Sequence, residues 1–429
     1  MRMSQIDLRQ LEQDLLDHPD LTQLTPDEQF AILKERAKHI VGDDRLKQYL
    51  QRASKARRGL RVKFGIDATG RELHLGHAIP LVLFRRLQKM GHDVTLVIGD
   101  FTASVGDPSG RVAERPVLTE AQIKQNYKTY EKQASRIIDL KRAWVKRNSK
   151  WLAKLSLAEF LKLIRGLTVS SAMQREDFRK RESITRVELL YASLTGIDSV
   201  ELNTELEIGG DDQLLNFYDS AKVMEINGLE PEAALTTDIL IGTSGQGLKM
   251  SKSLNNYIAL DETPEEMFGK LMRIPDQLLE QYFKLLTDIR DAAWLPLARA
   301  LKSGELNPMH LKRALARIIV ADLNSIEDAN RAEQHFNKTI VDKQPDKKSG
   351  ELVHLNARDT KDWVGLIAAL GVPGVESKSA ARRLFEQKGI HLQVDEDWRT
   401  LLVSEPLPTK GTTVTVRVGK RHYRTVAFD

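Results

Sequence analysis

The chain has 429 residues, 41% apolar and 29% charged, which suits two or three packed domains and excludes wholesale disorder. The absence of cysteine excludes disulfides, thiolate metal sites and thiol nucleophiles, and 65 Lys and Arg against 60 Asp and Glu suit an anionic partner. The start, MRMSQIDLRQLEQDLLDHPD, lacks a signal-peptide core, and no stretch approaches the ~18 apolar residues of a membrane span, so a cytoplasmic protein is expected.

Over residues 1–60, Leu8, Leu11, Leu15 and Leu16 recur at helical spacing and predict a helical leader that ends in the basic run RASKARRG. RVKFGID then reads as a strand and ATGRELHLGH as a turn and helix start. Ile79, Leu83, Leu87 and Met90 continue the helix to the stop at Gly91. With DVTLVIGD as the next strand this is a βαβ unit. Residues 61–246 are therefore expected to form an α/β, Rossmann-like, doubly wound parallel sheet with its ligand crevice at the carboxyl ends of the strands.

Residues 112–182 are charged and helical in pattern, and are expected to be an insertion rather than part of the sheet. VELNTELEIGGDDQ and TTDILIG read as further strands. A loop and helical domain follow over 247–339, then a polar linker at 340–356 that includes VDKQPDKKSGE. A small α+β unit closes the chain over 357–429, with Val414, Val416 and Val418 alternating in a late strand.

A helix start offers unpaired N–H groups to a phosphate; Gly76 allows close approach, and His74 and His77 supply side-chain donors. HLGH alone is a weak signal, as is KMSKS alone. Their joint occurrence, one after the first strand of the sheet and one after a late strand, places both at a single crevice. Here the chain resembles class I aminoacyl-tRNA synthetases. The closer likeness is to the tyrosyl family, through GID-T (Gly65–Thr69), GDFTASVGDPSGR, YASLTGIDSVEL, EIGGDDQ and KMSKSLNNYI, with an S4-like RNA-binding module as the tail.

The resemblance implies an amino-acid carboxylate attacking the α-phosphate of ATP, followed by transfer to the tRNA 3′-terminal ribose. It implies His74, His77, Thr69, Lys249 and Lys252 as catalytic donors. Gly65, Asp67, Gly76, Gly210, Asp212, Met250, Ser251 and Arg111 would surround ATP and the adenylate, with Arg115 as a further loop contact. Asp198 would receive the substrate phenol, Tyr191 and Asp107 the α-ammonium, and Gln213 the carboxylate, with Thr195 and Lys63 beside them. Mg²⁺ is expected with ATP, no metal site on the protein itself, and a homodimer as the assembly.

Thr195 stands where the family usually has glutamine, Lys63 where many relatives have tyrosine, Ala68 for a usual proline and Asp211 for a usual Thr or Ser. The added carboxylate at Asp211 is expected to alter how the amino group is held, so a tyrosine analogue stays open beside tyrosine. In the tail, Lys378, Arg382, Arg383, Lys420, Arg421 and Arg424 are candidate RNA contacts. Nine acidic residues accompany twelve Lys and Arg over 357–429, so charge alone leaves a solvated surface open. Two further readings remain at this point: a catalytically weakened RNA-binding paralogue, and a ligase for a modified amino acid in secondary metabolism.

Overall fold

A computed structural model describes residues 7–109, 118–173, 184–341, 352–355, 362–372, 375, 377–394, 397–419 and 422–428. The chain divides into two compact units, Met1–Glu333 and Gln334–Asp429.

The first unit is built on a six-stranded sheet of order β1-β6-β5-β2-β3-β4. Its strands are β1 His39–Val41, β2 Arg61–Asp67, β3 Asp93–Gly99, β4 Ala143–Arg147, β5 Leu206–Gly210 and β6 Ala233–Thr237. All neighbours pair in parallel except β1 with β6, which are antiparallel. From β2 the chain winds outward through β3 and β4, then returns to the other side of β2 as β5. The order reverses at β2, and the crevice opens where β2 and β5 end.

Two expectations need correction. Residues 1–60 are not only helical, because His39–Val41 adds an antiparallel edge strand to the sheet. Residues 112–182 are not outside the sheet either, because Ala143–Arg147 forms the opposite edge. Both strands are short, and β4 carries Lys146 and Arg147, as edge strands commonly carry charge. Neither shows the apolar run that marks a central parallel strand.

The helix Leu75–Lys89 follows β2 and packs its whole length into the unit. Leu83, Phe84 and Leu87 are at most 3% exposed, and each buried side chain of this kind contributes ~1.5–3 kcal/mol. The helices Pro264–Leu271, Leu279–Leu286, Asp291–Ser303, Pro308–Leu323 and Ile326–Phe336 follow the sheet.

A charge cluster ties the first segment of the chain to this block. His18 lies between Asp288 (3.0 Å) and Asp322 (2.6 Å). Arg85 meets Asp322 with one guanidinium nitrogen 2.8 Å from both oxygens, and Arg86 donates through Nε to Asp288 at 2.9 Å. Burial disfavours the Asp288 charge, but Arg86, His18 and Arg85 outweigh it and hold the carboxyl well below the usual range.

The second unit contains a five-stranded sheet of order β7-β11-β10-β8-β9, with β7 Leu352–Leu355, β8 Ile390–Val394, β9 Asp397–Thr400, β10 Thr413–Val418 and β11 His422–Phe428. Trp363, Leu366 and Ile367 of one helix pack with Val416, Val426 and Phe428. Strand β7 falls inside the range 340–356 expected to be linker, most of which lies outside the described residues.

Asp288→Asn leaves His18, Arg85 and Arg86 sharing one fewer carboxylate. Urea unfolding is expected to show a loss of about 3 kcal/mol, as for other broken buried ion pairs.

Candidate active site

The ends of β2, β3 and β5, the HLGH turn and the KMSKS loop line one cleft of about 540 Å³, a size that suits a small-molecule site. Gly65 is open to it, and a Cβ built there meets no atom within 4 Å, so any side chain would occupy ligand space.

His74 caps the Leu75–Lys89 helix from extended backbone. Its Nδ1 accepts the Gly76 N–H at 3.1 Å, and the His77 Nδ1 accepts the His74 N–H at 3.1 Å. A ring nitrogen that accepts carries no proton, so each neutral imidazole keeps its proton on Nε2. Burial, reinforced by Lys252 and Lys249, lowers His74 to about 4; burial, with His74 and Lys252, holds His77 well below its ordinary value. Both are therefore neutral Nε2–H donors near pH 7. A Cβ on Gly76 would come within 2.9 Å of the His74 ring, so the glycine is needed for this cap.

The KMSKS loop is stitched over that turn. The Met250 N–H donates to the Leu240 carbonyl at 2.7 Å and the Leu75 N–H to the Ile258 carbonyl at 2.9 Å. The Ser251 N–H donates to the Asn256 side chain at 2.8 Å. Lys252 Nζ donates to the Glu72 carbonyl at 2.8 Å, and a Cβ on Gly70 would stand 2.6 Å from that ammonium. Lys249 Nζ is 3.8 Å from Asp212 Oδ2. Burial holds Lys252 below its ordinary range and Asp212 above its own, although Lys249 opposes the latter.

At the other end, Tyr191, Thr195 and Asp198 project from one face of the helix Arg186–Leu202, at the i, i+4, i+7 spacing. Tyr191 donates to Asp67 Oδ2 at 3.1 Å and Thr102 to Asp67 Oδ1 at 2.6 Å. Gln213 donates to Asp107 at 2.8 Å. Asp198 receives Trp151 Nε1 at 2.7 Å and Asn148 Nδ2 at 3.2 Å. Burial pushes Asp198 up to about 7, against the pull of Lys63, Trp151 and Asn148. The Thr195 hydroxyl donates to the Ala192 carbonyl at 2.9 Å, within its own helix.

Thr69, Gly210, Asp212, Met250 and Ser251 also line the cleft. Three expected positions differ. Lys63 lies behind the wall, fully buried, with its ammonium on Glu207 at 3.0 Å. Asp211 points away, receiving Lys38 at 2.9 Å and Thr236 at 3.0 Å, and so does not reach the amino group. In the second unit Lys378, Arg382 and Arg383 are exposed on one helix, whereas Arg424 is half-buried and donates to the Leu370 carbonyl at 3.2 Å. Arg111, Arg115, Lys420 and Arg421 lie outside the described residues.

The sequence reading missed Asn148, Trp151, Thr102 and Glu207. Asn148 and Trp151 follow β4, so recognising AWVKR as a strand would have put them at the carboxyl edge.

Residues 54–340 match the family described as tRNA synthetases class I (W and Y). The chain belongs to this family. It is 39% identical to a tyrosine–tRNA ligase of Thermotoga maritima over 405 residues, covering 93% of this chain and 97% of the relative. A tyrosine–tRNA ligase of Carboxydothermus hydrogenoformans is 37% identical over 412 residues, covering 94% and 98%. The structure of an Archaeoglobus fulgidus tyrosyl-tRNA synthetase complexed with L-tyrosine superposes with TM-score 0.59 at 25% identity, over 72% of this chain and 99% of that one. A C-terminally truncated mitochondrial tyrosyl-tRNA synthetase of Aspergillus nidulans shares the fold at TM-score 0.60 and 19% identity, over 74% and 95%.

Gly65→Val places its Cβ in open cleft space, where no atom lies within 4 Å. Folding stability is expected to change by less than about 0.5 kcal/mol, while ATP affinity measured by calorimetry falls by more than roughly tenfold.

Proposed function

We propose that the protein activates tyrosine with ATP to the aminoacyl adenylate and transfers the aminoacyl group to tRNA. The observation that carries this is one cleft with phosphate-type donors at one end, His74, His77, Lys249 and Lys252, and a buried phenol acceptor, Asp198, at the other. Attack of the tyrosine carboxylate on the α-phosphate forms one P–O bond and breaks another as pyrophosphate leaves. Charge gathers on phosphate oxygens, so preorganised N–H donors and ammonium groups lower the barrier without a covalent enzyme intermediate.

The two Nε2–H groups suit this because they donate without changing protonation state. Asp212 and Gly210 at the end of β5 are assigned to the ribose, Asp67 to the adenylate, and Asp107, Tyr191 and Gln213 to the amino acid's polar end. Mg²⁺ bound with ATP would supply charge neutralisation at its phosphates, which His74, His77, Lys249 and Lys252 would face. The cleft offers those phosphates cationic and N–H donors.

The second unit is assigned to tRNA through Lys378, Arg382 and Arg383. Its α+β architecture and exposed basic helix support an S4-like role. A homodimer is supported by Leu157, Leu161, Val169, Val187 and Tyr218, each at least 52% exposed on helices of the first unit. A cytoplasmic location fits the reaction's partners.

Tyrosine-dependent pyrophosphate exchange tests the reading directly; an absence of exchange overturns it. His77→Ala and Lys252→Ala are expected to lower the exchange rate by about 10²–10³-fold and to leave tyrosine affinity nearly unchanged. Truncation after Thr339 is expected to preserve exchange and the dimer mass in sedimentation. It should abolish tight tRNA binding in a filter assay.

A further inference from the structure

Lys63 and Glu207 are register partners on the parallel strands β2 and β5, at the point where the sheet order reverses. The Lys63 ammonium is completely used. It donates to the Thr195 carbonyl at 3.0 Å and the Ser199 hydroxyl at 2.7 Å, and it meets Glu207 Oε1 at 3.0 Å. The Ser199 hydroxyl in turn donates to Glu232 Oε1 at 2.9 Å. Lys63 is 2% exposed, Glu207 5%, Ser199 and Glu232 0%, so an ion pair and a second carboxyl are buried at the cleft wall, with Glu207 as the member that lines it. Burying such a group is costly, and its retention calls for a role beyond packing.

Two of the groups that Lys63 grips, Thr195 and Ser199, belong to the helix that carries Tyr191, Thr195 and Asp198 into the cleft. Asp198 is the neighbour of Ser199. The ammonium therefore pins this helix to the sheet and places a fixed positive charge behind the phenol acceptor. We propose that Lys63 is the positioning residue of the amino-acid pocket: from behind the wall it sets both the place and the charge of Asp198, and so the preference for a neutral phenol.

The charges around Asp198 come from every element packed against it. Lys63 is on β2 and favours the carboxylate; Glu207 on β5 opposes it more weakly. Burial, reinforced by the proximity of Glu207, holds the carboxyl of Glu232, just before β6, well above the usual range. Trp151 and Asn148 are neutral donors, and Asn148 also donates to Thr102, the partner of Asp67.

The phenol O–H donates best to a carboxylate, so tyrosine affinity rises as Asp198 ionises. Loss of the ammonium disfavours that ionisation and moves the rise to higher pH. Glu207 acts on Asp198 in the opposite sense, and its influence is the smaller of the two.

The proposal rests on tyrosine being the substrate, and the test separates the two ideas. Tyrosine Kd by calorimetry and exchange kinetics are measured from pH 5.5 to 9 for the full chain, for Lys63→Met, for Lys63→Arg and for the double variant Lys63→Met/Glu207→Gln. The double variant removes both buried charges and guards against a folding failure of the single one. Wild type is expected to bind more tightly as pH rises through about 7. Both Met variants are expected to show that inflection at least about one unit higher, hence binding weaker by roughly fivefold or more at pH 7, with kcat and the KM for ATP little changed. Lys63→Arg is expected to keep the wild-type inflection. An inflection that stays in place in the Met variants overturns the proposal, even if affinity drops at every pH. Wild type that neither binds tyrosine nor supports exchange overturns the functional reading itself.

Discussion

Parallel pairing of β2 with β3 on one side and β5 on the other is the constraint on which the rest depends. In a parallel sheet every strand ends at the same edge, and the connections leave that edge on opposite faces where the order reverses. Asp67, Gly99 and Gly210 are therefore brought to one edge by register, since Asp67 pairs with Gly99 and Gly210 closes β5. The helix that follows β2 must begin there too, which sets His74 and His77 at the mouth. The KMSKS loop reaches the same edge because it follows β6, and the bridges His74 to Ala259 and Ile241 to Lys249 hold it there.

The parts of this arrangement legible in sequence are those with strong local signals. Val62, Phe64 and Ile66, followed by a glycine-bearing turn and a regular apolar helix, announce a βαβ unit. The two motifs announce the mouth. Strands β1 and β4 escaped because an edge strand needs no apolar run, and with β4 went Asn148 and Trp151. The side-chain period explains the misplacement of Lys63. It lies on the same face of β2 as Gly65 and Asp67, but one pleat earlier, roughly 6–7 Å upstream, where the Arg186–Leu202 helix covers the sheet. Asp211 shows the converse: its neighbours Gly210 and Asp212 line the cleft, yet the short turn rotates Asp211 towards Lys38. Sequence proximity to a motif does not fix direction.

The two histidines illustrate how a local hydrogen bond decides chemistry. Backbone N–H groups at a helix start must find acceptors, and here the two Nδ1 atoms supply them. That same contact assigns the remaining proton of each ring to Nε2. A cap and a catalytic donor are thus one structure, and removal of either imidazole costs the helix a partner as well as the reaction a donor. The cationic work falls to Lys249 and Lys252, which sit on a loop and carry charge that the imidazoles lack.

The opposite end of the cleft solves a different problem. ATP brings its own negative charge and finds cations held partly apart, with Lys252 resting on a carbonyl and Lys249 at 3.8 Å from a carboxylate. A phenol brings no charge, so its acceptor must be prepared in advance, and a lone aspartate in a dry wall would keep its proton. Lys63 supplies the missing positive charge without entering the cleft, because Glu207, Ser199 and a carbonyl satisfy all three of its protons. An ammonium exposed to the ligand would instead attract a phenolate or a carboxylate. Setting the charge one pleat behind the surface favours the carboxylate form of Asp198 and leaves an anionic ligand no cation to meet at that end, which is how a buried ion pair of little net stability can contribute selectivity.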